Sequence, residues 1–118
     1  MPSKILLADD DKDILELYTR IFRNKDYSLT KAVSFTEASS LIAANHYDLL
    51  VTDLMFPDGL GTDLIRSFEK KSRDARTLLV TGESDPRRLL DAACKTELLA
   101  KPFTLQSFLT AVTKVLDN

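Results

Sequence analysis

Short apolar runs alternate along the chain with longer segments in which apolar residues recur at helical spacing. Three of these runs, at residues 5–8, 49–51 and 78–80, are each followed by a polar residue. Such runs are typical of strands that are buried on both faces of a parallel sheet. Two less apolar segments, at residues 28–33 and 97–100, are interpreted as further strands. The pattern therefore predicts five strands.

The segments between these strands have the apolar spacing of amphipathic helices. Five helices are predicted, with these inward-facing residues in chain order: Ile14, Leu17, Tyr18, Ile21 and Phe22; Ala38, Leu41 and Ile42; Leu64, Ile65 and Phe68, after Gly61; Leu89, Leu90 and Ala93, after Asp85 and Pro86; and Leu105, Phe108, Leu109, Val112 and Leu116, after Thr104. Ser34 or Thr36 is the expected N-cap of the second helix. Pro86 favours the first turn of the fourth helix.

Strands that alternate with helices indicate an open α/β fold. Right-handed crossovers then place helices on both faces of a parallel sheet. With 118 residues, the chain has the size of one domain with one core. We interpret residues 1–118 as a single domain.

Composition narrows the function classes. Sixteen Lys and Arg against eighteen Asp and Glu give a net charge of -2, which disfavours a dedicated nucleic-acid-binding protein. One cysteine cannot form an intramolecular disulfide, and one Cys with one His cannot build a thiolate zinc site. No apolar run approaches the ~18 residues of a membrane span, and the apolar stretch near the N-terminus is too short for a signal peptide. We expect a cytoplasmic domain that binds neither nucleic acid nor membrane.

Acidic residues are concentrated near the start of the chain, where Asp9, Asp10, Asp11 and Asp13 lie within five consecutive positions. Asp11 and Asp13 are expected to favour the start of the first helix, because carboxylates interact well with helix N-termini. Asp9 and Asp10 instead continue a buried strand. Open α/β sheets bind their ligands beyond the carboxyl ends of the strands, so this pair marks a candidate site.

Polar residues also follow three of the other predicted strands: Asp53 after the third, Thr81 after the fourth and Lys101 after the fifth. All should therefore lie at one edge of the sheet. Carboxylates that are brought together repel one another unless a cation lies between them, and hard oxygen ligands suit Mg²⁺. A lysine beside such a cluster needs an anionic partner, and a phosphoryl group fits. The residues suggest a magnesium-assisted phosphoryl site with a carboxylate nucleophile.

This set of residues resembles the receiver domains of two-component response regulators. Each short motif is weak alone, but five in order at strand ends are specific. The matching pieces span the whole chain: Asp9-Asp10, Asp53, the following Leu54-Met55-Phe56-Pro57 with Gly61, Thr81-Gly82, and Lys101-Pro102-Phe103. The resemblance implies a flavodoxin-like, doubly wound sheet of five parallel strands in the order 2-1-3-4-5, with five helices on its two faces.

The resemblance also implies a chemistry and its partners. Asp53 would accept a phosphoryl group from the phosphohistidine of a sensor histidine kinase or histidine phosphotransfer protein. Mg²⁺ would be held by Asp10, Asp53 and the backbone carbonyl of Met55, with Asp9 acting mainly through water. A homodimer formed on phosphorylation is a further implied partner state. The domain would be a signalling switch rather than an enzyme.

The switch itself would use the two remaining residues. Lys101, whose peptide bond to Pro102 is often cis in the family, would pair with the carboxylate before transfer and with the phosphoryl group afterwards. Thr81 would move to contact the phosphoryl group. That movement would change the surface around the predicted fourth helix, fifth strand and fifth helix.

The chain departs from the family pattern at Leu98, where the family often has a Tyr or Phe whose rotamer is coupled to the Thr. Output through an aromatic relay is therefore not expected in its usual form. Met55 and Glu83 lie two residues beyond Asp53 and Thr81, at positions that resemble those that tune dephosphorylation. The apolar Met55 is expected to hinder an attacking water.

Two other functions are compatible with parts of the pattern. An aspartyl-phosphate-type phosphatase would use Asp9 as its nucleophile, with Asp11 two residues later, although 118 residues leave no room for the cap such enzymes usually carry. A receiver-like interaction module that is not phosphorylated is the other alternative. Both a stand-alone receiver and the first part of a longer regulator remain open.

Overall fold

The computed structural model describes residues 3–83 and 96–117. Its elements follow one another in this order: β1 (Ser3–Ala8), α1 (Lys12–Ile21), β2 (Tyr27–Ala32), α2 (Phe35–Ala44), β3 (Leu49–Asp53), β4 (Met55–Phe56), β5 (Gly59–Leu60), α3 (Gly61–Lys71), β6 (Arg76–Thr81), β7 (Glu97–Ala100) and α4 (Leu105–Leu116). The helix α4 is the last of the helices expected from the sequence. The helix expected after Asp85 and Pro86, with Leu89, Leu90 and Ala93, lies outside the described residues.

The five longer strands form one parallel sheet in the order β2-β1-β3-β6-β7. This confirms the predicted doubly wound sheet and its strand order. Strands β1, β3 and β6 are central, and their apolar residues have no exposed surface. Burial on both faces explains why these strands consist of continuous apolar runs.

Side chains of the sheet alternate between two core layers. One layer packs Leu6, Leu50 and Leu79 against α2 and α3. The other packs Ile5, Leu7 and their neighbours on β3 and β6 against α1 and α4. Because successive strand residues point to opposite faces, each apolar run contributes to both layers. Within the part of the chain that the structure describes, no helix is long and apolar enough to span a bilayer.

Polar side chains define where the helices begin. The Asp11 carboxylate accepts a hydrogen bond from the backbone N–H of Asp13 at 2.9 Å and caps α1. The Ser34 hydroxyl accepts from the N–H of Glu37 and caps α2, which decides between the two expected caps. Thr104 opens α4. These caps satisfy backbone donors that no helical carbonyl can reach.

A cluster of aromatic rings joins α1 to α4 beneath the carboxyl edge of the sheet. Phe108 is fully buried at its centre, with ring centroids 4.7 Å from Tyr18, 5.3 Å from Phe103 and 5.6 Å from Phe22. Packed rings contribute area and favourable ring geometry together. Phe103 follows Lys101 and Pro102, so this cluster also supports the loop that carries the lysine.

We expect Phe108→Ala to lower the free energy of unfolding by about 3–5 kcal/mol, because it leaves a cavity among packed rings. Leu105, on the same helix, was predicted to face inward but is 58% exposed, because it lies in the first turn beside the solvent-facing Thr104 cap. Leu105→Ala should therefore change the free energy of unfolding by less than about 0.5 kcal/mol. Urea unfolding followed by circular dichroism measures both. Equal losses in the two variants would contradict this description of the core.

Candidate functional site

Three carboxylates meet at the carboxyl edge of the sheet. Parallel pairing places Ala8 of β1 opposite Thr52 of β3, so the chain leaves these two adjacent strands at Asp9 and at Asp53. Asp9, Asp10 and Asp53 each offer an oxygen within 4.8 Å of the other two. This arrangement brings together the three acids that the strand ends predicted.

Lys101 follows the edge strand β7, and its side chain reaches this cluster across the neighbouring strand β6. Its Nζ lies 3.0 Å from Oδ2 of Asp9 and 3.5 Å from Oδ2 of Asp53. Its backbone N–H donates to the carbonyl of Thr81 at 2.9 Å, and its peptide bond to Pro102 is cis. Among residues 3–83 and 96–117, one cation therefore faces three acids, which gives this part of the site an excess of negative charge.

The two acids nearest to Lys101 differ in how completely their carboxylate oxygens are hydrogen-bonded. Asp9 is buried, with Oδ1 accepting from the N–H of Asp11 at 2.9 Å and Oδ2 accepting from Lys101. Asp53 uses Oδ1 to accept from the N–H of Leu54 at 2.8 Å, and its side chain is 16% exposed. Among the described residues, the polar contact of Oδ2 of Asp53 is the longer one with Lys101, at 3.5 Å. Asp53 is thus the carboxylate of this pair that an incoming group can reach.

Burial sets the protonation behaviour of the cluster. Burial raises the pKa of Asp9 and of Asp53 above the ordinary value of a carboxyl, although Lys101 works against this shift in both. For Lys101, burial alone acts to lower the pKa, but the hydrogen bond and the charge of Asp9, with the charge of Asp53, raise it overall. The lysine is therefore charged at neutral pH.

The donor set fits a divalent cation. Three carboxylates provide hard oxygen ligands, and the exposed Asp10 leaves one side of the cluster open to water. Mg²⁺ is usually held by one or two carboxylates together with several waters. Asp9, Asp10 and Asp53 are therefore a candidate metal centre.

Comparisons with known proteins agree with this geometry. A family model described as the response regulator receiver domain matches residues 5–113. The chain belongs to this family. It is 34% identical over 119 residues to the response regulator MprA of Mycobacterium sp. (strain KMS), with 98% of this chain and 51% of that protein covered. It is 25% identical over 116 residues to the response regulator SaeR of Staphylococcus aureus (strain USA300), with 97% and 50% covered. The chain thus spans about half the length of these two relatives.

Solved structures of receiver domains share the fold. The receiver domain protein from Clostridium thermocellum has a TM-score of 0.85 and 26% identity, with 98% of this chain and 94% of that chain covered. The response regulator protein TrrA from Thermotoga maritima, in complex with Mg(2+)-BeF, has a TM-score of 0.86 and 28% identity, with 97% and 99% covered. The flavodoxin-like α/β fold expected for this receiver domain is therefore confirmed.

Thr81 and Met55 lie around the acid cluster of the receiver domain. Thr81 ends β6, one residue beyond Val80, which pairs with Asp53 across the sheet. It is buried, and its hydroxyl accepts from the N–H of Glu83 at 3.1 Å. Met55 lies two residues after Asp53 at the start of β4, and it is 53% exposed. The Met55 side chain is thus largely open to solvent, two residues along the chain from Asp53.

Leu98 occupies the strand position where an aromatic residue is common in the family. It lies opposite Leu79 in the sheet and packs, half-buried, against the core layer under α2 and α3. An aliphatic side chain has neither a ring to rotate nor a hydroxyl to bond. Any signal from Thr81 must therefore leave the site by a different set of contacts.

Two features of the loop after Asp53 were not expected from the sequence. In the sequence, residues 57–59 have the composition of a flexible turn. In the structure they close the β4–β5 hairpin. The Asp58 carboxylate also accepts hydrogen bonds from the N-terminus of α2. Gly61 packs so closely on Asp53 that a Cβ there would overlap the Asp53 carbonyl oxygen. The only sequence signals were an Asp in a turn and a Gly at a helix start, and both are common elsewhere.

We expect Asp53→Asn to raise the free energy of unfolding of the metal-free receiver domain at pH 7, by about 1 kcal/mol. The folded-state pKa of Asp53 lies above its unfolded value, so the ionised carboxylate destabilises the fold at pH values above the folded pKa. The advantage of the variant should shrink as the pH falls through that folded pKa towards the unfolded one. Urea unfolding in EDTA at several pH values measures the difference.

The matched control is Asp74→Asn, which changes an exposed carboxylate outside the cluster. Its effect should be within about 0.5 kcal/mol at every pH. A destabilised Asp53→Asn variant at pH 7, or a gain that grows towards low pH, would contradict the assigned cause of the pKa shift.

Proposed function

We propose that this receiver domain is a phosphorylation-dependent switch of a two-component system, and that Asp53 accepts the phosphoryl group. The observation that carries the proposal is the difference between the buried Asp9 and the partly exposed Asp53. Asp9 has both oxygens bonded inside the protein, whereas the Asp53 side chain is 16% exposed and its Oδ2 faces Lys101 at 3.5 Å. The donor is a phosphohistidine of a sensor histidine kinase or of a histidine phosphotransfer protein.

The transfer exchanges one bond to phosphorus for another. Oδ2 of Asp53 attacks phosphorus, a P–O bond forms, and the P–N bond to histidine breaks. The electron pair of that bond stays on the imidazole, which takes up a proton. Lys101, 3.5 Å from Oδ2, is close enough for its ammonium to move onto a phosphoryl oxygen as Asp53 loses its free charge.

In this proposal, Asp10, Asp53 and the backbone carbonyl of Met55 would hold Mg²⁺, and Asp9 would act through water. When bound, the metal supplies positive charge for the carboxylates and for the phosphoryl oxygens. Asp9 keeps Lys101 in place through their 3.0 Å contact. The negative charge of three acids against one lysine, counted over the described residues, supports this assignment.

The output of the switch begins at Thr81. Its hydroxyl is bonded to the N–H of Glu83, and a phosphoryl group on the adjacent strand offers it a charged acceptor. Movement of Thr81 would change the surface around the predicted fourth helix, which lies outside the described residues, and around β7 and α4. We place the changing surface there and include a homodimer formed on phosphorylation among its partner states.

The remaining parts of the proposal concern the whole chain. Residues 1–118 form one receiver domain, act as a phosphoryl acceptor rather than as an enzyme, and bind neither nucleic acid nor membrane. A cytoplasmic location suits a chain whose single cysteine cannot form an intramolecular disulfide. The phosphatase alternative is not favoured, because its nucleophile would be Asp9, which is 1% exposed.

We expect incubation with Mg²⁺ and acetyl phosphate to add one phosphoryl group, because an acyl phosphate is a reactive donor to a carboxylate. Intact-mass spectrometry should show the addition in the wild type and in Asp74→Asn, and not in Asp53→Asn. Labelling lost in Asp9→Asn and retained in Asp53→Asn would support the phosphatase. Absence of labelling in every variant would support an interaction module that is not phosphorylated.

We expect Met55→Asn to lose its phosphoryl group faster than the wild type, by about threefold, equivalent to roughly 0.7 kcal/mol in the barrier. The thioether of Met55 does not orient an attacking water, whereas an amide at the same exposed position does. The half-life of the aspartyl phosphate, measured by phosphate release after removal of the donor, tests this.

Leu105→Asn makes a similar apolar-to-polar change at an exposed position of α4 and should leave the half-life unchanged. Equal half-lives for Met55→Asn and wild type would refute the role of Met55.

A further inference from the structure

The β4–β5 hairpin carries Met55 at the edge of the acid cluster. Only two residue pairs hold its strands together, Met55 with Leu60 and Phe56 with Gly59. A hairpin this short is not stable by itself in water. Its position must therefore come from contacts at its ends.

One end is tied to the site by the backbone. The N–H of Gly61 donates to the carbonyl of Leu54 at 2.6 Å, directly beside Asp53. This contact closes the base of the hairpin on the strand that carries the phosphoryl acceptor. It does not fix the tip, which is formed by Pro57 and Asp58.

The tip is tied to a different element. Asp58 accepts three hydrogen bonds from the first turn of α2: Oδ1 from the N–H of Phe35 at 3.0 Å, and Oδ2 from the N–H of Thr36 at 3.0 Å and from its hydroxyl at 2.8 Å. These bonds, the one from the Thr36 N–H most of all, lower the pKa of Asp58. The carboxylate is therefore ionised at neutral pH, as its position at a helix N-terminus favours.

A steric contact reinforces these bonds. The ring of Phe35 packs so closely on Gly59 that a Cβ there would overlap ring atoms. The hairpin thus meets α2 through a carboxylate and through an aromatic face, on adjacent residues of each partner. Two independent contacts of this kind define both the distance and the angle between hairpin and helix.

The helix is itself held firmly enough to serve as a support. Ser34 caps its first turn through the N–H of Glu37. At its other end, Lys71 of α3 donates to the carbonyls of Ile42, Ala43 and Asn45. Asp58 is thus bound to an element that other residues already anchor.

We propose that Asp58 is a positioning residue of the receiver site, which holds the β4–β5 hairpin on α2 and thereby places the Met55 carbonyl beside Asp53. The inference rests on the proposed role of that carbonyl as a Mg²⁺ ligand. Asp58 contacts neither the metal nor the phosphoryl group. It acts through the backbone of the hairpin.

The test measures Mg²⁺ affinity in the metal-free protein. Isothermal titration with MgCl₂ should show a dissociation constant about tenfold higher in Asp58→Ala than in wild type, the scale seen when a partner that orients a ligand is removed. Asp58→Asn, whose amide oxygen retains part of the acceptor capacity, should lie between the two. Amide NMR resonances of Met55 and Leu60 should shift in both variants before metal is added.

Ser34→Ala is the matched control. It removes the cap that α2 provides for itself and leaves the bonds to the hairpin in place. It should lower the thermal stability while leaving the Mg²⁺ dissociation constant unchanged. Asp26→Asn, an exposed change of the same charge, should alter neither quantity.

The outcomes separate this inference from the proposed function. If wild type binds Mg²⁺ and both Asp58 variants bind it equally well, the positioning role is wrong and the proposed function stands. If Ser34→Ala weakens binding as much as Asp58→Ala does, Asp58 acts only on helix stability and the inference is also wrong. Wild type that binds no Mg²⁺ would overturn the metal assignment together with the inference. If Asp58→Ala does not fold, Thr36→Val, which removes only the hydroxyl donor, replaces it and should weaken binding by a smaller factor.

Discussion

The contact between Lys101 and Asp9 is the interaction on which the rest of the site depends. It joins the end of β7 to the end of β1, with β3 and β6 between them in the sheet. Asp9 is buried where it makes this contact, and burial raises its pKa. The lysine is thereby held within 3.5 Å of Asp53, close enough to stabilise charge there. One ion pair therefore both closes the site and positions its only described cation.

The fold makes this possible through the register of a parallel sheet. Four adjacent strands end at the same edge, so short side chains from distant parts of the sequence meet without long loops. The acids repel one another and are partly buried, which is unfavourable without a cation. This unfavourable electrostatic free energy is concentrated at the point where a divalent ion and a phosphoryl group would reduce it. The apolar layers above and below the sheet supply the stability that offsets this cost.

Sequence patterns were sufficient for the residues that end strands. Asp9, Asp53 and Lys101 follow apolar runs, and a buried strand followed by a charged residue is a strong local signal. The hairpin after Asp53 was different. The contact of Asp58 with α2 could not be predicted, because its partners Phe35 and Thr36 are more than twenty positions away and no local pattern links them. The close packing of Gly61 on Asp53 was not predictable either, because it depends on how the hairpin between them folds back.

The sequence by itself determined the alternation of strands and helices, the set of polar residues at the strand ends and most of the inward faces of the described helices. These follow from periodicity and from chain order, which are local properties. Leu17 and Leu105, predicted to face inward, are 40% and 58% exposed. Only the tertiary structure decided that Asp9 has both oxygens hydrogen-bonded while Asp53 is partly exposed. This difference depends on Lys101, a lysine ninety-two residues from Asp9. It also decided that the loop beside the site is anchored to α2. Distances between residues far apart in the chain arise from packing, and packing is a property of the folded molecule as a whole.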